Sequence, residues 1–353
     1  MAYTTINKST DYFNTKLYTG NGGTNAITGV GFQPDWTWIK KRASGDGDHG
    51  LYDAVRGVLK RLQSNEASTE ATTADSLTAF GTDGFTMGSN SSYNGSGNTY
   101  VSWNFKANGQ GSSNTDGTIN TTYTSVNTTA GFSIVKYTGN GSNGATVGHG
   151  LGVAPEMILI KEASGSGRNW RVYHSATGNA TVSYLNTTSA QVSDSTAFNS
   201  TSPTSSVFSL GTSGGTNDNG NTYIAYCLAS KTGYSHCGKF VGNGNADGTF
   251  VYTGFKPRFI FFKQYTSVVS WYIYDSERDG KNQGDGASGG NRSLRPDTNS
   301  AEEQASGYPI DILSNGWKFR TASNEVNKSG NSFFYYAIGQ TLVGSNNVPC
   351  TAR

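Results

Sequence analysis

The chain has 353 residues, with 47 glycines, 7 prolines and only 14% charged side chains, where an average soluble domain carries about 25%. Net charge is +2, so no long-range field draws it to nucleic acid or an anionic membrane, and no run of about 18 apolar residues exists to span a bilayer. A hydrophobic fraction of 34% is thin, yet 12% of residues are aromatic, which is not the composition of a disordered chain, so folding around small aromatic-rich cores is expected.

Residues 1–11 form an N-terminal segment. Its opening, Met1-Ala-Tyr-Thr-Thr-Ile-Asn-Lys8, lacks the basic and apolar regions of a signal peptide, so synthesis in the cytosol is expected. The first repeat, 12–107, starts with a strand that ends in Tyr18-Thr-Gly-Asn-Gly22. A proline then opens a hydrophobic run closed by lysine, Pro34-Asp-Trp-Thr-Trp-Ile-Lys40, and an aromatic segment follows at Gly50-Leu-Tyr52-Asp53. Ala54–Leu62 has apolar residues at helical spacing and reads as a short helix, weakened by Gly57. Gly84-Phe85 opens another strand, Ser89–Asn98 is a polar loop holding Tyr93, and Tyr100-Val-Ser-Trp103 closes the unit. Residues 108–129 are almost free of large apolar side chains and read as a linker.

The same elements return twice. In the second repeat, 130–230, they are Tyr137-Thr-Gly-Asn-Gly141, Pro155-Glu-Met-Ile-Leu-Ile-Lys161, Trp170–His174, Val207-Phe208 and Tyr223-Ile-Ala-Tyr226. In the third, 231–342, they are Phe240-Val-Gly-Asn-Gly244, Pro257-Arg-Phe-Ile-Phe-Phe-Lys263, Trp271–Asp275, Gly316-Trp317 and Tyr335-Tyr-Ala-Ile338. A second helix candidate lies around Ala301-Glu-Glu-Gln304, and residues 343–353 form a C-terminal tail. The runs are short, rich in branched and aromatic residues and bounded by Gly, Asn and Ser, which is strand and turn chemistry, and about five strands fit in each unit. The expectation is an all-β chain of three tandem homologous β-sandwich or jelly-roll-like domains of antiparallel strands, the last two packed together by their short junction.

One charged motif recurs, Tyr52-Asp53-Ala-Val-Arg56 and Tyr274-Asp275-Ser-Glu-Arg278, while the second repeat has Tyr173-His174 there. The aspartates fit two roles: general acids or sugar-hydroxyl acceptors, or caps of a turn paired with the arginine three residues on. Asp275, Glu277 and Asp279 form a local carboxylate cluster with two readings: glycoside hydrolysis if two of them are held about 5–9.5 Å apart across a cleft, or a solvated turn leading into the glycine-rich loop 280–290. Calcium is conceivable at Asn217-Asp218-Asn219, but the EF-hand pattern is absent, and neither metal nor cofactor is expected. His49, His149, His174 and His236 make no nucleophile-and-base pattern. Cys227, Cys237 and Cys350 make no disulfide framework, and whether Cys227 and Cys237 pair is open from sequence. Lys40, Lys161 and Lys263 read as charges guarding strand edges. Tyr93, Asn94 and Asn98, amides beside an aromatic ring on a polar loop, are the candidate ligand-binding residues.

The opening Ala2–Gly20, together with Gly29–Pro34, Leu51–Gly57 and Tyr100–Asn104, resembles a family of repeat-containing structural proteins of marine tailed bacteriophages, often labelled tail-fibre-like. The resemblance covers essentially the whole chain. It implies a virion protein without enzymatic activity, made in the host cytoplasm and exposed on the particle as a tail or fibre adhesin that meets host surface glycan. The alternative it implies is a head decoration protein. Its partners would be other virion proteins, with a homotrimer allowed and neither nucleic acid nor membrane insertion involved. A polysaccharide depolymerase working through the carboxylates near Asp275 stands third.

Overall fold

A computed structural model describes residues 4–42, 47–278, 292–303 and 308–341. Asp279, the 280–290 loop, Gln304, Cys350 and the tail 343–353 lie outside the described residues. The chain is all-β, and its strands group by repeat into three lobes, each an antiparallel main sheet with a smaller sheet packed over it. Lobe 1 holds β1 (Phe13–Thr19), β2 (Asn25–Ile27), β3 (Trp36–Lys41), β4 (Gly50–Asp53), β5 (Lys60–Arg61), β6 (Ala71–Thr72), β7 (Leu77–Gly81), β8 (Gly84–Met87) and β9 (Thr99–Phe105). Its main sheet runs β1-β9-β3-β4 and its smaller one β2-β8-β7.

Lobe 2 holds β10 (Tyr123–Asn127), β11 (Phe132–Thr138), β12 (Ala145–Gly148), β13 (Met157–Glu162), β14 (Arg171–His174), β15 (Gly178–Ser183), β16 (Val192–Ser193), β17 (Val207–Leu210) and β18 (Thr222–Leu228). The order β11-β18-β13-β14 repeats that of lobe 1, extended by β10 on one side and by β15 and β16 on the other. Lobe 3 holds β19 (Ser235–Val241), β20 (Phe250–Tyr252), β21 (Lys256–Gln264), β22 (Trp271–Asp275), β23 (Ile310–Leu313), β24 (Gly316–Phe319) and β25 (Ser332–Gln340), in sheets β19-β25-β21-β22 and β20-β24-β23. The count exceeds five per unit because strands of two to six residues, such as β5, β15, β20 and β23, add to the runs that the sequence marks.

Three expectations need correction. The segment 108–129 is no free linker: β10 pairs with β11, the Ser112 N–H donates to the Thr124 carbonyl at 3.3 Å, and the Ile119 N–H donates to the Thr146 carbonyl at 2.9 Å. It straps the side of lobe 2 that lobes 1 and 3 finish with β1 and β19. Residues 54–62 form turns leading into β5, because Gly57 and Leu59 adopt left-handed backbone, φ +91° and +65°, which no helix continues. At 301–303 the chain is extended and bridges Ser293 to Glu303. The helices among the described residues are a 3-10 turn, Ser9–Asp11, and two single α turns, Ser91–Asn94 and Gly214–Asn217.

Each main sheet carries large apolar side chains on both faces. Along β13, Ile158 and Ile160 enter the sandwich core of lobe 2, while Met157 and Leu159 point the other way. That second face meets its counterparts from the other lobes in one cluster, to which Trp36, Trp38 and Trp103, then Leu159, Trp170 and Tyr226, then Phe259, Phe261 and Trp271 contribute. Rings interlock at every junction. Trp36 stacks on Tyr226 at 4.3 Å, Trp38 meets Phe261 edge-on at 5.9 Å, and His174 stacks on Phe334 at 4.6 Å. Pairs of this kind contribute about 0.5–1.5 kcal/mol beyond the area they bury.

The repeated Gly-Asn-Gly turn is tied to the loop ahead of the closing strand. Gly139 donates its N–H to the Asn221 carbonyl at 2.9 Å, and Gly20 and Gly242 do the same to Asn98 and Asn331 at 2.8 and 3.0 Å. A Cβ at Gly139 would lie 2.4 Å from the Asp218 carbonyl oxygen, a backbone atom that cannot step aside. Gly139→Ala is therefore expected to destabilise the chain by about 1–3 kcal/mol, read as a lower thermal midpoint with the overall fold retained.

Candidate functional site

The recurrent acid–arginine motif sits at the ends of β4 and β22. The Arg56 N–H donates to Asp53 Oδ1 at 2.8 Å and its Nε to Oδ2 at 2.6 Å; the Arg278 N–H donates to Asp275 Oδ1 at 2.9 Å and its Nε to Oδ2 at 2.5 Å. The carboxylate thus caps a turn and grips the guanidinium that the turn delivers. Both pairs have side chains with 0% exposure. The remaining donors are also used: Nη2 of Arg56 reaches the Leu51 carbonyl and Nη2 of Arg278 the Ile273 carbonyl, at 2.9 and 3.0 Å, so the desolvation of each pair is offset by a full set of bonds. Tyr52 and Tyr274 point to the opposite face, into the sandwich cores.

A third partner comes from another lobe. The Tyr226 hydroxyl donates to Asp53 Oδ2 at 2.8 Å, and Trp103 Nε1 donates to Asp275 Oδ2 at 2.9 Å, with the Arg278 guanidinium 5.5 Å over the Trp103 ring. Lobe 2 has His174 at this position, and its Nε2 meets the Tyr335 carbonyl at 3.1 Å while its Nδ1 accepts from the Ala176 N–H. These groups join lobe 1 to 2, 3 to 1 and 2 to 3, a closed ring. Asp275 is spent in that ring, which removes it as a carboxylate open to a glycan chain. Glu277 pairs instead with Arg258 at the surface, 2.8 Å away.

The repeated lysines close the same ring, contrary to the expectation that they guard sheet edges. All three are fully buried. Lys40 Nζ donates to the carbonyls of Gly47 and, in lobe 3, Asn299; Lys161 to Arg168 and, in lobe 1, Ala67; Lys263 to Val269 and, in lobe 2, Thr188. Each strand is interior to its sheet, so its lysine ends inside the body, where backbone carbonyls accept from the ammonium. Burial pulls the Lys161 and Lys263 pKa values down to about 8. Indole and imidazole N–H groups repeat the pattern. Trp170 Nε1 donates to the Gln63 carbonyl and Trp271 Nε1 to the Tyr184 carbonyl, each at 2.9 Å, and His49 Nε2 lies 3.1 Å from the Arg295 carbonyl.

Two of the three loop candidates do not face solvent. Tyr93 and Asn94 are fully buried. Tyr93 packs edge-on against Tyr52 at 5.9 Å, and Asn94 Nδ2 donates to the carbonyls of Gly23 and Gly88 while its Oδ1 accepts from the Asn21 N–H. A loop whose ends must be pinned to the Gly-Asn-Gly turn uses its amide for that. Asn98, half-buried, gives its carbonyl to Gly20. Asn217 and Asn327 make the equivalent bonds, to Gly211 and Ser142, and to Thr321 and Asn245. Sequence reasoning missed this set, although the signal was there: each asparagine stands six positions ahead of Tyr100, Tyr223 or Phe333. Cys227 and Cys237 are buried free thiols, and burial raises the Cys227 pKa to about 12, which makes it inert. Among the described residues no group of three or more His, Cys, Asp and Glu is placed to hold a metal ion.

The family model described as Domain of unknown function (DUF7483) matches residues 8–341. The chain belongs to this family. The match runs through all three lobes, as the ring of junction bonds does. No curated protein and no solved structure matches the chain.

The junction imidazoles are expected to make the ring acid-sensitive. Burial lowers the His174 pKa from 6.5 to about 4, with the neighbouring His236 acting in the same direction, and burial likewise holds His49 well below its usual range. On acidification the unfolded chain takes the proton first, so this stability is complete above about pH 6.5 and is lost as pH falls toward 4. His174 alone accounts for a loss on the order of 3 kcal/mol. Denaturant unfolding from pH 7 to 4.5 is expected to show the fall, and His174→Gln is expected to flatten it.

Proposed function

We propose that this chain is a structural component of a bacteriophage particle, displayed on its surface as a tail or fibre-type adhesin that meets host surface glycan. The observation that carries the reading is that every polar motif recurring through the sequence is spent on construction. Asp53, Asp275, the three lysines and the three loop asparagines all bond within the body, and none is left to line a catalytic cleft. Low charge and loops of Asn, Ser, Thr and Gly around a rigid frame are what a passive particle protein needs.

The ring of lobes favours one second reading, a head decoration protein. One chain supplies the three-membered ring for which a homotrimer would otherwise be needed, and it presents three related outer surfaces. An antibody against this chain, imaged on intact particles by electron microscopy, separates the readings. Label on the tail or its fibres is expected. Label over the head would replace the adhesin with the decoration protein, and particles without label would overturn both.

A further inference from the structure

The flank of lobe 2 shows what the edge of a smaller sheet can take. There the 108–129 segment runs along β12, whose other side pairs with β17. The Thr146 N–H donates to Thr118 Oγ1 at 2.8 Å, and the Thr146 carbonyl accepts the Ile119 N–H at 2.9 Å. The residue at this position therefore turns its backbone groups outward, away from β17, and a passing strand collects them.

Lobe 3 has the same strand, and no strap covers it among the described residues. β20 keeps on β24 the register that β12 keeps on β17: Phe250 opposite Lys318 matches Thr146 opposite Ser209, with Lys318 and Ser209 following Trp317 and Phe208. Phe250 thus stands where Thr146 does and Tyr252 where Gly148 does, and both turn backbone groups to the open edge of the sheet. The Tyr252 carbonyl accepts from the Tyr335 hydroxyl at 3.3 Å, which uses one of its two lone pairs. The side chains are large and open: Phe250 is 43% and Tyr252 61% exposed, while Val251 between them is buried. Lobe 1 has Ala26 and Thr28 at these places, so rings on this edge belong to lobe 3 alone.

A bare edge strand carrying aromatic rings is a template for another strand, and the rings restrict which one. The strap of lobe 2 passes over the outer face, where a Cβ at Gly148 would strike Asn114, so Tyr252 bars that route in lobe 3. A strand that joins in the plane of the sheet meets no such obstacle, because side chains stand off the sheet. A second β20 fits there. Set antiparallel about a twofold axis through Val251, it places Phe250 opposite Tyr252 of the second copy, and Tyr252 opposite Phe250 of the second copy. The residues with outward backbone groups then face each other and exchange N–H and C=O bonds, and both Phe–Tyr pairs meet on one face. One patch serves both copies, as a closed twofold contact requires. We propose that two copies of this chain pair through the β20 edge of lobe 3, joining two three-stranded sheets into one continuous sheet.

The test is sedimentation velocity on the full-length chain, from about 1 µM to 1 mM because a short strand edge makes a weak contact. One double variant carries Phe250→Lys and Tyr252→Lys, a second carries Phe250→Glu and Tyr252→Glu, and Ala26→Lys with Thr28→Lys in lobe 1 is the control. Thermal midpoints establish that each is folded. The wild-type chain and the control are expected to pass from monomer to dimer as concentration rises. Each lobe 3 variant sets like charges against each other across the axis, which is expected to weaken association by about tenfold or more. An equimolar mixture of the two sets opposite charges there and is expected to dimerise again. A dimer that both variants keep at full strength would overturn the surface, and folded variants that stay monomeric when mixed would overturn the antiparallel register. A wild-type chain monomeric at every concentration would overturn the pairing. Neutral-sugar binding by that monomer, lost in the lysine variant, would then assign the two rings to a glycan instead.

Discussion

A sheet that carries large apolar side chains on both faces must be covered on both, and this constraint organises the molecule. Each lobe can cover only one face of its main sheet, with its own smaller sheet. The other face, bearing Trp36 and Trp38, Met157 and Leu159, or Phe259 and Phe261, has no cover within its lobe. Three such faces turned toward one another hide all of that surface at once. The price is geometric, because rings as large as tryptophan pack in few ways, and the stacks and edge contacts at the three junctions fix how the lobes sit.

Polar groups then make the arrangement specific. An indole N–H or an ammonium carried into this interior loses water, and one left without an acceptor, as Trp36 Nε1 is, costs about 1–3 kcal/mol. Lys40, Lys161 and Lys263 each find one carbonyl at home and one in the next lobe, and Trp170 and Trp271 find theirs only there. A slip of one lobe against another would strand several of these at once. The departures from the repeat fit the same logic. Where lobe 2 replaces aspartate with His174, the histidine still bonds across its junction.

Much of this was legible in the sequence. The three repeats, the strand-forming runs and the asparagine-glycine turns come from local chemistry, and local chemistry is what a sequence displays. Met-Ile-Leu-Ile-Lys and Phe-Ile-Phe-Phe-Lys also lack alternation with polar residues, a mark of burial on both faces that the strand reading left unused, whereas Trp36-Thr-Trp alternates and hides it. Partners were not legible. Lys161 looks like a guard on an edge until Ala67, 94 residues away in sequence, supplies its carbonyl, and Asn94 looks like a ligand-binding amide until its loop folds inward. The helix expected at 54–62 failed because hydrophobic spacing was weighed above the left-handed backbone that Gly57 permits and Leu59 adopts. The strap at 112–127 escaped notice because a strand of Thr, Ser and a few apolar residues resembles a loop in composition.

The central claim is that the three lobes stand or fall together around one shared core. Differential scanning calorimetry of the full-length chain at pH 7 tests it most directly. The account predicts a single transition whose calorimetric and van't Hoff enthalpies agree. Two or three separable transitions, each with the enthalpy of a unit of about one hundred residues, would contradict it.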